Sequence, residues 1–299
     1  MDDIITTHHL TKTYGSRTVV DDLDLRVPRG CVYGFLGPNG SGKSTTMKML
    51  LSLARPSRGE ITVFGQPMNR DTRPRLLREI GSLIEAPPGY AHLTGRENMA
   101  IVQRMLGLSD QQVSRAVATV RLQEHMGKLV RAYSLGMKQR LGIAMALARD
   151  PRLLILDEPT NGLDPAGIEE IRELLVSLAE NGITVMVSSH LLDEIDRMAS
   201  VLGILGQGRL IFQGTRSELF ARSTPDLIVD TPEPERALAL GIPAVREGGG
   251  VRLSGLDDED TAALVRRLVG GDVPVHGVRR VQQSLEEVFM DLTGREGLL

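Results

Sequence analysis

The chain has 299 residues, 41% of them hydrophobic, with a formal net charge of −3. That length suggests two domains with packed cores, and the slightly acidic balance excludes the basic footprint of a nucleic-acid binder. No apolar run reaches the ~20 residues that cross a bilayer, the acidic start Met1-Asp2-Asp3 does not read as a secretory leader, and the single cysteine, Cys31, cannot form an internal disulfide, all of which points to a soluble protein of a reducing cytosol.

Residues 1–30 alternate apolar and polar, with turn signals at Gly15-Ser16 and Pro28-Arg29-Gly30, and predict antiparallel strands. The apolar run Cys31–Leu36 predicts a strand, with Cys31 as a small buried hydrophobe. Gly37-Pro38-Asn39-Gly40-Ser41-Gly42-Lys43-Ser44 then fits G-x-x-x-x-G-K-[ST], and Thr45–Leu51 has helical periodicity. A strand that feeds a glycine-rich turn opening a helix aims backbone N–H groups and the positive helix end at an anion. Gly37 through Thr45 should therefore hold the phosphates of a nucleoside triphosphate. Lys43 should reach the β- and γ-phosphates, and the Ser44 hydroxyl should ligate Mg²⁺.

Further along, Glu60–Phe64 predicts a strand, 74–80 a helix, and Ile80–Ile84 a strand entering the turn Ala86–Gly89. Residues 95–150 read as a helical insertion with breaks near Gly107, Gly127 and Ser134. Leu153–Leu156 is continuously apolar, as in a strand buried on both faces, and ends at Asp157-Glu158-Pro159. Beside a phosphate loop, Asp157 should hold Mg²⁺, and Glu158 should polarise the attacking water as general base. A helix at 166–180, a strand at Thr184–Val187, a helix at 191–199 and strands near 201–205 and 209–213 follow. Strands alternating with helices predict an α/β fold with a mostly parallel sheet.

The composition changes near 223, dividing the chain into residues 1–222 and 223–299. The second part predicts strand 226–230, helix 234–240, strands 244–247 and 251–254, helix 257–269, strand 274–280 and helix 284–293. The order β-α-β-β-α-β with one added helix is that of a small α+β, ferredoxin-like domain. In the last helix Leu285, Val288, Phe289 and Leu292 share one face.

Over residues 1 to about 220 these ordered motifs resemble the nucleotide-binding subunits of ABC transporters, whose cassette joins a P-loop sheet, an antiparallel β subdomain and a helical insertion. The resemblance implies that Tyr14 stacks on the adenine of ATP, a contact worth ~1–3 kcal/mol per base; the alternative for the residue is a strand aromatic packed in the core. Asn161–Pro165 matches the loop that crosses the dimer interface, with Asp164 carried over, and His190 matches the histidine that contacts the γ-phosphate and the water. As residues, Asp164 and Ser134 also suit helix N-caps. The family's signature is usually Leu-Ser-Gly-Gly-Gln. Here it reads Tyr133-Ser134-Leu135-Gly136-Met137, keeping Ser134 and Gly136, which would face the phosphate of a second subunit in a head-to-tail dimer.

Strand 80–84 in that family should be followed by glutamine, and here it is followed by Glu85. A carboxylate can replace the amide oxygen as a Mg²⁺ ligand but cannot supply its N–H donors. The alternative for Glu85 is a solvated loop acid. Ile80–Pro87 with Tyr90 and Leu93–Asn98 resembles the subset of bacitracin-resistance and lantibiotic-immunity ATPases. The resemblance implies a cytoplasmic MgATP-hydrolysing subunit, held at the membrane by a separate permease and exporting, or giving resistance to, an antibiotic, peptide or lipophilic compound. The alternative is a soluble ABC ATPase acting on another macromolecular complex.

Overall fold

Chain order already shows how the site is assembled. The computed structural model describes residues 2–85, 87, 89–221 and 225–293, and the chain divides into one unit of residues 1–215 and a second of 216–294.

In the first unit the alternating N-terminal segment forms β1 (Asp3–Tyr14), β2 (Arg17–Leu23) and β3 (Arg26–Pro28), with β1 and β2 joined across Gly15-Ser16. β4 (Val32–Leu36) is buried at every residue and leads to α1 (Lys43–Leu50). β5 (Arg58–Val63) and β6 (Gln66–Pro67) follow, then α2 (Arg73–Leu76) and β7 (Ile80–Leu83). The insertion contains α3 (Gly95–Leu106), α4 (Asp110–Thr119) and α5 (Leu135–Leu147). Each starts on a hydroxyl that accepts an orphan backbone N–H: Thr94 from Glu97, Ser109 from Gln112 and Ser134 from Met137. β8 (Leu153–Asp157), α6 (Pro165–Glu180), β9 (Thr184–Ser189), α7 (Leu192–Asp196), β10 (Val201–Gly206) and β11 (Arg209–Thr215) complete the unit.

The main sheet has the order β11-β10-β4-β9-β8-β7, parallel throughout except for the edge pair β10–β11. A second, antiparallel sheet runs β2-β1-β5-β6, with β3 on β1. One apolar core joins them, including Ile5, Leu10 and Val63 from the second sheet, Tyr33, Phe35 and Ile155 from the main sheet, and Met47 and Leu50 from α1. Strand register then fixes which residues meet at the sheet's end. Leu36 pairs with Ser189, and Asp157 with Ser188, so the carboxyl ends of β4, β9 and β8 lie side by side. Ligands of open parallel sheets bind at such ends.

α7 is shorter than the expected helix 191–199. The N–H groups of Met198 and Ala199 both return to the Ile195 carbonyl, and Ser200 then bonds Val32, which turns the chain into β10. α7 also lies directly on β4. A Cβ on Gly34 would run into the Ile195 side chain and come within 3.0 Å of Ala199 Cβ, so only glycine lets the helix sit this close.

The second unit starts at Arg216, earlier than the change of composition. It holds α8 (Arg216–Phe220), β12 (Asp226–Asp230), α9 (Pro234–Ala239), β13 (Val245–Glu247), β14 (Gly250–Leu253), α10 (Asp258–Gly270), β15 (Gly277–Val281) and α11 (Leu285–Thr293). The strands pair antiparallel in the order β13-β14-β12-β15. β15 starts later than the expected strand 274–280, because Pro274 has no N–H for a ladder. Leu227, Val229, Val251, Leu264 and Leu268 form its core; Leu285, Val288 and Phe289 are buried as expected, and the side chain of Leu292 lies outside the described residues.

One ion cluster marks this unit. Arg252 on β14 reaches the buried Asp226 at 2.6 Å, Glu287 on α11 at 2.5 Å and Glu247 at 3.3 Å. Removing one partner of a buried pair leaves an uncompensated charge, at a cost of ~3–5 kcal/mol. Arg252→Met should therefore destabilise this unit by about 3 kcal/mol and speed hydrogen exchange of the β12 amides about a hundredfold. Unchanged exchange in β12 would show that the cluster holds nothing together.

Candidate active site

β4 delivers the chain to the loop 37–44 with its backbone already fixed by two parallel neighbours. Gly42 ends the loop at φ 105°, a left-handed conformation, and a Cβ there would meet the Val19 carbonyl at 2.7 Å. It occupies the N-cap position of α1 and offers no side-chain acceptor. The first N–H groups of α1 therefore have no side-chain cap and form the anion seat expected of such a turn.

Lys43 is the buried cation of the site, 6% exposed. Its Nζ donates to the carbonyls of Gly37 at 2.6 Å and Pro38 at 3.2 Å, and lies 3.9 Å from Glu158 Oε1. Burial pulls its pKa below the usual lysine value, and the charges of Glu158 and Asp157 oppose that shift.

The carboxylates come from the end of β8. Asp157 is buried, and its Oδ1 accepts from the Ser188 hydroxyl at 2.6 Å. The same Ser188 Oγ accepts the Glu158 N–H at 3.0 Å. Glu158 itself sits at φ 50°, a left-handed turn that ends the strand abruptly. Its Oε2 lies 2.7 Å from His190 Nδ1. A cavity of about 470 Å³ is lined by Asn39, Gly40, Lys43, Ser44 and Thr45 together with Glu158, Asn161 and His190. The structure thus brings together the phosphate loop, the proposed base and the histidine. Ser44 and Asp157 offer oxygen donors, the kind that Mg²⁺ takes, so the donor chemistry fits that ion.

A separate cavity of about 300 Å³ gathers the other expected residues, Ser134, Gly136 and Asp164, with Leu135, Gly162 and Leu163. Ser134 caps α5, and Asp164 caps α6 through the Gly167 N–H at 2.9 Å. Both cap readings hold, and both side chains remain exposed. The two loops touch: Gly136 faces Leu163, and a Cβ on Gly162 would meet Leu135 at 3.0 Å.

Two residues sit differently from the rest. Tyr14 is 51% exposed at the end of β1, with Lys12 Nζ 4.6 Å over its ring, so it is not a core aromatic. Glu85, at φ 67°, does not line the cavity of Ser44 and Glu158; its Oε1 lies 2.5 Å from Lys48 Nζ on α1. The ammonium holds the Glu85 carboxyl below the usual range, and the carboxylate raises Lys48. Glu85 is thus paired with Lys48 and is not gathered with Ser44 as the Mg²⁺ ligand that the sequence allows.

Sequence reasoning missed Ser188 and Lys48. Lys48 had a signal, four residues after Ser44 and so on the same helix face. Ser188 had a weaker one, a hydroxyl ending an apolar strand, whose meaning depends on pairing with Asp157.

Comparison with known proteins agrees with this geometry. Residues 20–161 match the family model described as ABC transporter. The chain is 41% identical over 304 residues to the bacitracin transport ATP-binding protein BcrA of Bacillus licheniformis, covering 98% of each. It is 45% identical over 205 residues to the lantibiotic transport ATP-binding protein SrtF of Streptococcus pyogenes, covering 69% of this chain and 88% of that one. A solved dimeric ATP-binding cassette in a post-hydrolysis state, bound to ADP and Pi, is similar at a TM-score of 0.63 and 25% identity, over 71% of this chain and 98% of that chain. With a near full-length relative at this identity and the phosphate loop, Glu158 and His190 on one cavity, the chain belongs to the ATP-binding proteins of ABC transporters and is an ATPase.

Proposed function

We propose that this ATPase works as a head-to-tail dimer on the cytoplasmic face of a membrane and drives a separate permease that exports, or confers resistance to, an antibiotic, peptide or lipophilic compound. The observation that carries this reading is the division of the site residues between two cavities. Lys43, Ser44, Glu158 and His190 line one, and Ser134, Gly136 and Asp164 line the other. Each chain then offers a phosphate loop and a signature, and two-fold symmetry makes two composite sites. Among the described residues no helix is long and apolar enough to cross a membrane, and the proposal assigns the membrane span to the permease. The relatives named for bacitracin transport and lantibiotic transport support the class of cargo.

Within one composite site the chain's groups divide the work. The N–H groups at the start of α1 and the Lys43 ammonium meet the charge that develops on the transferred phosphoryl group. Mg²⁺, held by Ser44 and Asp157, would supply further charge neutralisation at the phosphates. Glu158 takes the proton of the attacking water. His190 fixes the Glu158 carboxylate through Nδ1 and leaves Nε2 for another partner. Ser188 ties Asp157 and the Glu158 backbone to one hydroxyl, so ion-binding acid and base keep a fixed spacing. Tyr14, exposed at the end of β1, supplies a ring for the adenine. Ser134 and Gly136 of a second copy close over the phosphates at the start of α5, and Asp164 borders that contact.

Two substitutions test this. Glu158→Gln should lower kcat by ~10²–10⁴ while MgATP still binds, and should hold the dimer closed in size-exclusion chromatography with ATP. Full turnover in that variant removes Glu158 as the base. Glu85→Gln should change how far the permease stimulates ATP turnover, because it releases Lys48 from its carboxylate partner. ATPase rates that stay at wild type both with and without permease rule out a coupling role for this acid.

A further inference from the structure

Glu194 is a buried carboxylate, 8% exposed, that the reaction above does not use. Its Oε2 accepts the hydroxyl hydrogen of Thr160, itself 2% exposed. Its Oε1 is buried without a hydrogen-bond partner among the described residues. An apolar side chain would fill this place without the cost of desolvating a carboxylate, so packing alone does not account for the residue.

The position of Thr160 says what the bond can do. The Asn161 N–H returns to the Glu158 carbonyl at 3.2 Å, and the Leu163 N–H returns to the Thr160 carbonyl at 3.1 Å. Thr160 is therefore shared by two successive turns, one beginning at Glu158 and one leading to Asp164. Its hydroxyl is the handle by which this double turn is held. The holder, α7, follows His190 in the chain and packs on β4 through the glycine contact at Gly34. The helix that holds Thr160 thus rests on the strand that delivers the phosphate loop.

We propose that Glu194 is a positioning residue for hydrolysis: through Thr160 it fixes the turn between Glu158 and Asp164 against α7, and so sets the Glu158 carboxylate relative to His190 and the phosphate loop. The proposal rests on Glu158 being the base. It also ties the start of the 161–164 loop to the hydrolysis site of the same chain. A shift of that loop at a dimer contact would be felt at Glu158 through Thr160.

Steady-state kinetics of Thr160→Val, Glu194→Ala, Glu194→Gln and the double variant that combines Thr160→Val with Glu194→Ala test this in the full chain, with melting temperature measured alongside. Misplacement by ~1 Å can cost ~10²-fold in rate. Thr160→Val and Glu194→Ala should each lower kcat about tenfold or more with KM for MgATP within about twofold, because the phosphate loop is untouched. Glu194→Gln should restore turnover to within about threefold of wild type, since its amide oxygen accepts the same hydroxyl. The double variant should be no slower than the slower single one, since both substitutions break one bond. If Glu194→Ala does not fold, Thr160→Val and Glu194→Gln carry the test. Wild-type kcat in Thr160→Val, losses that multiply in the double variant, or Glu194→Gln as slow as Thr160→Val each overturn the proposal. Glu158→Gln in the same series separates the two readings. If it is inactive while Thr160→Val is normal, only the positioning role fails; if it is fully active, the base assignment fails.

Discussion

Everything near the cavity is arranged around one buried ammonium. A cation out of water needs partners, and Lys43 finds them in the carbonyls of Gly37 and Pro38 and in the nearby Glu158. Those partners are fixed by different means. The carbonyls belong to a loop held at its start by β4 and at its end by α1. The carboxylate belongs to the end of β8. They meet because β4 and β8 both pair with β9 in parallel register. A slip of one residue between β8 and β9 would carry Asp157 away from Ser188 and Glu158 away from His190, and would reverse the faces of the strand. Full burial of β8 and β9 makes such a slip costly.

Small residues and hydroxyls then transmit that register outward. Gly34 lets α7 rest on β4, and Ser188 of β9 holds Asp157, the last residue of β8, and the backbone of Glu158 just after it. Gly162 lets the loop before α6 approach Leu135 at the start of α5. The ion pair of Arg140 on α5 with Glu170 on α6, at 3.0 Å, lies along the same contact. Signature and loop 161–164 are therefore in contact within one chain.

Much of this was legible in the sequence because the chemistry of a phosphate loop is contiguous. Gly37–Ser44 must follow a strand and open a helix, and the apolar run 153–156 announces the acids that end it. The caps at Ser134 and Asp164 were legible for the same local reason. What escaped depends on pairing across strands or helices. Ser188 gains its role only opposite Asp157, Lys48 only beside Glu85, and Glu194 only beside Thr160. For Tyr14 the alternative of core packing could not be dismissed from alternation alone, because the residue ends β1, where burial does not follow from it. The unit boundary also escaped, since composition changes near residue 223, whereas α8 already belongs to the second unit.

Glu85 shows how a contact can be specific and still free to change. It is an exposed acid paired with a lysine at the surface, and pairs of that kind add little to stability. Salt screens them, and water replaces either partner at small cost. Its φ of 67° places it in a conformation that a non-glycine residue holds only where its surroundings keep it. A surface pair of this kind can exchange for water without disturbing the core. Lys48 lies one turn beyond Ser44 on α1, so the pair connects the end of β7 to the helix that carries the phosphate loop.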